Sequence, residues 1–184
     1  AMHPTTYKTW LFFGTGRFLT AGDVSSRAVQ GLYGMVDDGS AVTKAALTQR
    51  VVQILGTRNG KPVRGFQANA PLPAAARGWY INLVDPPLTP GTASGERIVS
   101  GPQMDGDVLE VSSIIPTADA CQSDGRGYLN ALDAFTGTST DAPYFDVNND
   151  GSFSDDTLTS TDAGGNVVQL PIGSVDLAVG MVTH

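Results

Sequence analysis

The chain has 184 residues, 41% of them apolar, and a formal net charge of −7. That length can bury one core, and the longest apolar runs, such as Trp10-Leu-Phe-Phe13, fall far short of the about 20 residues a membrane-crossing helix needs. The 11 Lys and Arg are scattered without a basic stripe, which argues against nucleic acid as a partner, because phosphate binding draws on clustered cations.

The opening Ala-Met-His-Pro reads as an expression remnant, so the chain is expected to be a piece of a longer protein. Segments 9–13, 31–36, 50–55, 79–84, 108–115 and 167–172 then alternate or run apolar, punctuated by 22 Gly and 11 Pro. This pattern predicts one all-β domain over residues 1–184, of sandwich, barrel or propeller type. Within 41–55, Leu47, Val51 and Ile54 lie at helical spacing, but the β-branched pair Val51-Val52 and Gly56 predict a strand after at most one helical turn. Stretches 70–77, 85–91 and 159–166 predict long loops. The closing segment 174–184 reads as an apolar strand that needs a continuation.

Catalytic groupings are sparse, and no enzyme is expected. His3 and His184 stand at opposite ends, and a zinc site or a Ser-His-Asp triad needs more than that. Cys121 alone is either a buried apolar residue or half of a bridge to another segment. Asp105 and Asp107 read as a solvated turn. Gly14-Thr-Gly16-Arg17 lacks the third glycine of a nucleotide loop and is followed by no long helical pattern, so it predicts a β-turn, with Arg17 stacked or paired locally.

One loop carries specific chemistry. Residues 146–157 read Asp-Val-Asn-Asn-Asp-Gly-Ser-Phe-Ser-Asp-Asp-Thr, with oxygen ligands at every second position and a glycine at the sharp turn. Asp146, Asn148 and Asp150 would supply side-chain oxygens, Ser152 its carbonyl, and Ser154 the ninth position, in EF-hand order. The closing bidentate Glu is missing, since Thr157 holds the twelfth place, so Asp155 or Asp156 must close the shell, with Asp156 slightly favoured. Flexible carbonyl and carboxylate oxygens suit Ca2+ better than Mg2+, which demands near-ideal octahedral geometry. The alternative is an Asx-rich surface turn. Charge supports the metal: beyond Arg126 the chain has no Lys or Arg, yet carries Asp133, Asp141, Asp146, Asp150, Asp155, Asp156, Asp162 and Asp176, leaving the first 126 residues at +1. A bound divalent cation relieves the repulsion among such carboxylates.

An ordered series of phrases resembles the C-terminal domain of the PilC/PilY proteins of type IV pili. They are Trp10-Leu-Phe-Phe-Gly-Thr-Gly-Arg-Phe-Leu19, Gln30-Gly-Leu-Tyr-Gly34, Gly78-Trp-Tyr80, Gly95-Glu-Arg-Ile-Val99 and Ile115-Pro116. Cys121, residues 125–132, Asp133, Thr136-Gly137 and Tyr144-Phe-Asp-Val-Asn-Asn-Asp-Gly151 continue the series over nearly the whole chain. The resemblance implies a modified β-propeller with a calcium site on Asp146, Asn148, Asp150, Ser152 and an acidic closer, although Ser154 stands where the family places an acid. Blades of about 40 to 45 residues leave room for only about four, so a partial or truncated propeller is expected, its edges covered by loops or neighbouring chains.

The resemblance further implies a pilus biogenesis factor and tip-associated adhesin at the bacterial cell surface, outer membrane or pilus tip. Its partners would be minor pilins or other pilus components, with host or abiotic surfaces as targets, and its calcium site would set pilus extension against retraction, twitching motility and attachment. The rival reading is a calcium-stabilised carbohydrate- or cell-wall-binding module using Trp10, Trp79 and Tyr80, whose positions inside strands favour core packing instead.

Overall fold

Trp10 and Phe12 turn inward from the first strand while Leu11 and Phe13 face outward, the two-residue period of a half-buried strand. A computed structural model describes residues 1–86, 93–117, 126–162 and 164–177. In chain order these form β1 (Thr9–Gly14), α1 (Ala21–Ser25), β2 (Gly31–Asp37), a 3-10 turn (Lys44–Ala46), β3 (Thr48–Arg50), β4 (Val52–Arg58), β5 (Lys61–Phe66) and β6 (Gly78–Asn82). There follow β7 (Gln103–Asp105), β8 (Val108–Ile115), β9 (Arg126–Asp133), β10 (Thr157–Thr161), β11 (Val167–Pro171) and β12 (Ser174–Leu177).

The strands make three open sheets. The first is ordered β1-β2-β6-β3, the second β4-β5-β12-β9-β8-β7, and β10-β11 is a separate hairpin. The all-β expectation holds, and so does the single helical turn before a strand at 44–46. The chain passes from first sheet to second at Val51, between β3 and β4, and Arg50 fixes that crossing: buried, it donates through Nε to the Thr136 carbonyl at 2.9 Å and through Nη2 to that of Ala70 at 2.8 Å.

One core joins both sheets. Trp10, Leu32, Trp79 and Ile81 of the first meet Val52, Phe66, Leu109, Val111 and Leu132 of the second. Trp79 is fully buried and donates its indole N–H to the Ala134 carbonyl at 2.8 Å. A smaller core of Val63, Leu158 and Ile172, flanked by Ile54, Phe145, Val147 and Val175, lies under the β10-β11 hairpin.

One expectation is corrected. The stretch 159–166 is not a long loop: β10 runs through Thr161, and Asp162 Oδ1 accepts the Gly164 and Asn166 N–H groups, both at 2.8 Å, closing a tight turn into β11. Of the closing segment 174–184, the described part is β12, which sits between β5 and β9 and pairs antiparallel with both; residues 178–184 lie outside the described residues. Cys121, His184 and most of 85–91 lie outside the described residues.

Candidate metal loop

The 146–157 loop leaves the small core at Phe145 and Val147 and returns to it at Leu158. The tip of the β4-β5 hairpin holds both ends: Asn59 Nδ2 donates to the Val147 carbonyl at 3.1 Å, and Arg58 Nη2 to that of Thr157 at 2.8 Å. Between these anchors the chain curls through two left-handed residues, Asn149 at φ 57° and Gly151 at φ 81°, conformations that Asn and Gly tolerate best.

The curl gathers most of the expected ligands. Asp146 accepts the Asp150 N–H through Oδ1 at 3.2 Å and the Gly151 N–H through Oδ2 at 3.0 Å. Asn148 Oδ1 also accepts the Asp150 N–H, at 3.0 Å, and Asp150 Oδ1 accepts that of Ser152 at 2.7 Å. Asn148 Nδ2 stands between two carboxylates, donating to Asp150 at 2.9 Å and Asp155 at 3.2 Å. Ser152 and Ser154 turn their hydroxyls to each other at 2.9 Å. Among the described residues, no three His, Cys, Asp or Glu side chains gather into a metal-holding group.

Asp156 differs from the other acids. It is 2% exposed, its Oδ1 accepts the Val147 N–H at 3.2 Å, and its buried Oδ2 has no hydrogen-bond partner. Burial pushes its carboxyl above the usual carboxylate range, and the negative charges of Asp155, Asp146 and Asp150 push the same way, against the Val147 bond. A buried oxygen without a partner costs free energy unless a proton or cation meets it. That orphaned atom, under a loop whose Asp146, Asp150 and Asp155 charges act on it, belongs to a donor set of the oxygen kind that a hard cation takes.

The remaining named residues have structural places. Arg17 pairs with Asp23 at 2.8 Å. Asp105 ends β7 at a two-residue turn and accepts the Tyr144 hydroxyl at 3.0 Å. His3 packs on Phe135, with ring centroids 4.5 Å apart. Trp10 and Trp79 are buried, so neither offers a ring to a sugar, whereas Tyr80 is half-exposed.

Sequence reasoning missed a buried polar network. Arg64 and Glu96 form a two-pronged ion pair, Asn130 Oδ1 accepts from Arg64 at 3.2 Å, and Ser113 donates to Glu96 at 2.5 Å. Arg97, 2% exposed, donates to the carbonyls of Arg17, Asp23, Gly95 and Ser26. The available signal was Glu96-Arg97 inside an otherwise apolar phrase.

No protein-family model matches the chain. The chain is 32% identical, over 153 residues and 82% of its length, to a type IV pilus biogenesis factor PilY1 homolog of Xylella fastidiosa. It is 26% identical, over 79% of its length, to the type IV pilus biogenesis factor PilY1 of Pseudomonas aeruginosa. The chain belongs to the PilC/PilY family. It spans 12% and 14% of those two relatives. Its fold is that of the crystal structure of the P. aeruginosa PilY1 C-terminal domain, with a TM-score of 0.76 at 20% identity over 96% of this chain and 38% of that one.

The PilC/PilY phrases are packing partners. Gly34 and Gly137 press on Trp79 from different strands and turns, and a Cβ at Gly34 would lie 2.5 Å from Trp79 Cε2. Gly14 and Gly16 of the first phrase likewise meet Ile98 and Arg97 of another. No helix among the described residues is long and apolar enough to cross a membrane.

Proposed function

We propose that this chain is the calcium-binding, propeller-like part of a longer, exported type IV pilus biogenesis factor, acting at the cell surface or pilus tip. The observation that carries the calcium reading is Asp156 Oδ2, buried and unpartnered under a loop in which the Asn148 amide bonds the Asp150 and Asp155 carboxylates and Asp146 accepts the Asp150 N–H. In this reading Asp146, Asn148, Asp150 and the Ser152 carbonyl hold the ion, Asp156 or Asp155 closes the shell, and Ser154 contributes through its hydroxyl or a water. Bound calcium would supply a positive charge to the Asp150 and Asp155 carboxylates, which here meet only the neutral Asn148 amide donor. Extracellular sites of about 10⁻⁴ to 10⁻³ M affinity suffice where calcium is plentiful, so a loop with serine in an acidic place still loads.

The family's pilus role comes to this chain as the surface that such loading alters. Phe145, Val147 and Leu158 tie the loop to the core under the β10-β11 hairpin, so ordering the loop stiffens that hairpin and whatever part of the pilus machinery contacts it. Extension against retraction, twitching motility and attachment to host or abiotic surfaces would follow from that contact. The two larger sheets would correspond to blades of a partial, modified propeller. The test is calorimetric titration of calcium into the wild type and Asp150→Ala, with pilus assembly scored for the same variant in the parent protein. A saturable isotherm lost in the variant, with pili that no longer respond to calcium, is expected; indistinguishable isotherms sink the site.

A further inference from the structure

The outer edge of β1 carries an apolar surface that neither the metal loop nor the core uses. β1 is an edge of the first sheet, and beside it runs a groove of about 570 Å³ walled by residues 16–19 and 98–102. Phe13 is 40% exposed, Phe18 48% and Leu19 85%. An apolar cluster bordering a strand edge that is open over part of its length among the described residues is a hazard unless something covers it.

Three observations define what fits there. The Trp10 N–H donates to the Ala1 carbonyl at 2.7 Å, and the Ala1 amino group donates back to Trp10 at 2.9 Å, with Met2 bridged antiparallel to Thr9. The outer edge therefore accepts an antiparallel strand. Alternation along a strand aims the backbone N–H and C=O of Phe12 and Gly14 to the same outer side. Farther along, Ile98 donates to the Thr15 carbonyl at 3.1 Å, so the open stretch is residues 11–14, about 13 Å of strand at the usual rise.

Second, a row of stacked rings crosses the sheet and stops at this edge. Register sets Phe13, Tyr33, Tyr80 and Gln49 side by side on β1, β2, β6 and β3. Phe13 stacks on Tyr33 at 5.1 Å and 9°, Tyr33 on Tyr80 at 6.1 Å and 23°, and the Lys44 ammonium caps the far end 4.2 Å from the Tyr80 centroid. At the β1 end the row has no described successor, although cross-strand aromatic pairs stabilise sheets. Third, the groove wall holds Arg17, whose side chain is 69% exposed; its Nε bonds Asp23, and a guanidinium has further N–H donors for a second carboxylate on an incoming segment.

We propose that this edge receives an extended apolar segment of a second polypeptide as an added antiparallel strand, with an aromatic residue opposite Phe13 and an acid toward Arg17. Main-chain hydrogen bonds would supply affinity and the ring and the acid selectivity, as in other strand additions. The probe is the peptide acetyl-Glu-Leu-Tyr-Gly-Met-amide, which sets against the outer edge the Tyr-on-Phe pairing that β2 makes on the inner one. Titrated into the labelled chain and followed by NMR, it should bind saturably and slow amide exchange at Phe12 and Gly14. N-methylation of its Leu and Gly, whose amides would face β1, should weaken binding at least tenfold; N-methylation of its Tyr and Met should not. Phe13→Ser should weaken the parent peptide to a similar extent. No saturation up to millimolar peptide, equal loss from both N-methylated forms, protection mapped elsewhere, or edge-to-edge dimers of this chain in sedimentation would each overturn the proposal.

Discussion

Arg64 and Glu96 face each other as a fully buried two-pronged pair, with both Nη–Oε distances at 2.7 Å. The pair ties β5 to the segment before β7, and around it Tyr128 presents its ring 3.6 Å from the Arg64 guanidinium, while Ser174 joins through Asn130 at 2.7 Å. Burial works against both charges, yet their mutual attraction leaves the Glu96 carboxyl below and the Arg64 guanidinium above their ordinary ranges.

Removing one partner strands the other in the interior. Arg64→Met or Glu96→Gln should therefore cost about 3–5 kcal/mol in urea unfolding, while the double replacement by Met and Leu should cost less than either alone. Because the Glu96 carboxyl is depressed, its contribution is full above the ordinary value of 4.5 and fades as pH falls below it. Acid titration of the wild type and the double variant should show that difference narrowing only on the acid side.

Asp23 organises the turn after β1. Its carboxylate accepts the Leu19 and Thr20 N–H groups at 3.0 and 2.8 Å and the Arg17 Nε–H at 2.8 Å, and these bonds, that from Leu19 foremost, hold its carboxyl well below the ordinary 3.8 against the effect of burial. A depressed carboxyl stabilises the fold above the unfolded value and loses that contribution as pH falls. Asp23→Asn should lower the thermal midpoint at neutral pH, and the gap to wild type should close below about pH 3.8. A gap that persists into acid would mean that the side chain acts by shape alone.

The strands most open to sequence reading were those with clean apolar runs, and β8 matches its expected bounds of 108–115. β5 is legible from its turn: Asn59-Gly60, at φ 49° and 74°, joins Arg58 to Lys61 across a two-residue turn, the strongest short hairpin signal. β9 was harder, because Arg126-Gly-Tyr-Leu-Asn-Ala-Leu-Asp133 shows no simple alternation: Asn130 is buried to serve Arg64. In the candidate metal loop, spacing placed Asp146, Asn148 and Asp150 together, but not the burial of Asp156, which depends on Val147 and the distant Ile172, whose N–H bonds the Asp156 carbonyl at 3.0 Å.

Trp79 tests whether the family phrases encode packing. Gly137 sits at φ +71°, and a Cβ there would overlap the Trp79 ring. Gly137→Ala should destabilise by about 1–3 kcal/mol through overpacking, in addition to about 1 kcal/mol for the left-handed backbone. Gly39→Ala, at φ +78° with no atom within 4 Å, bears only the backbone cost and serves as the control. Equal losses in chemical denaturation would show that the ring contact contributes nothing.

Calcium should act on the β10-β11 hairpin as well as on the loop, because Leu158 and Ile172 share the small core with Phe145 and Val147. A ligand that binds only the folded state stabilises it by about 2.7 kcal/mol at a hundredfold excess over Kd, so calcium should raise the unfolding midpoint and a chelator reverse the rise. Hydrogen exchange should slow at Val147, whose N–H meets Asp156, and at Ile172. Asp150→Ala and Asp156→Asn should abolish both effects. Asp162→Asn should weaken only the turn that Asp162 closes through the Gly164 and Asn166 N–H groups, leaving the calcium response whole. A response that survives Asp150→Ala would place the ion elsewhere, and slowed exchange confined to the loop would separate the hairpin from it.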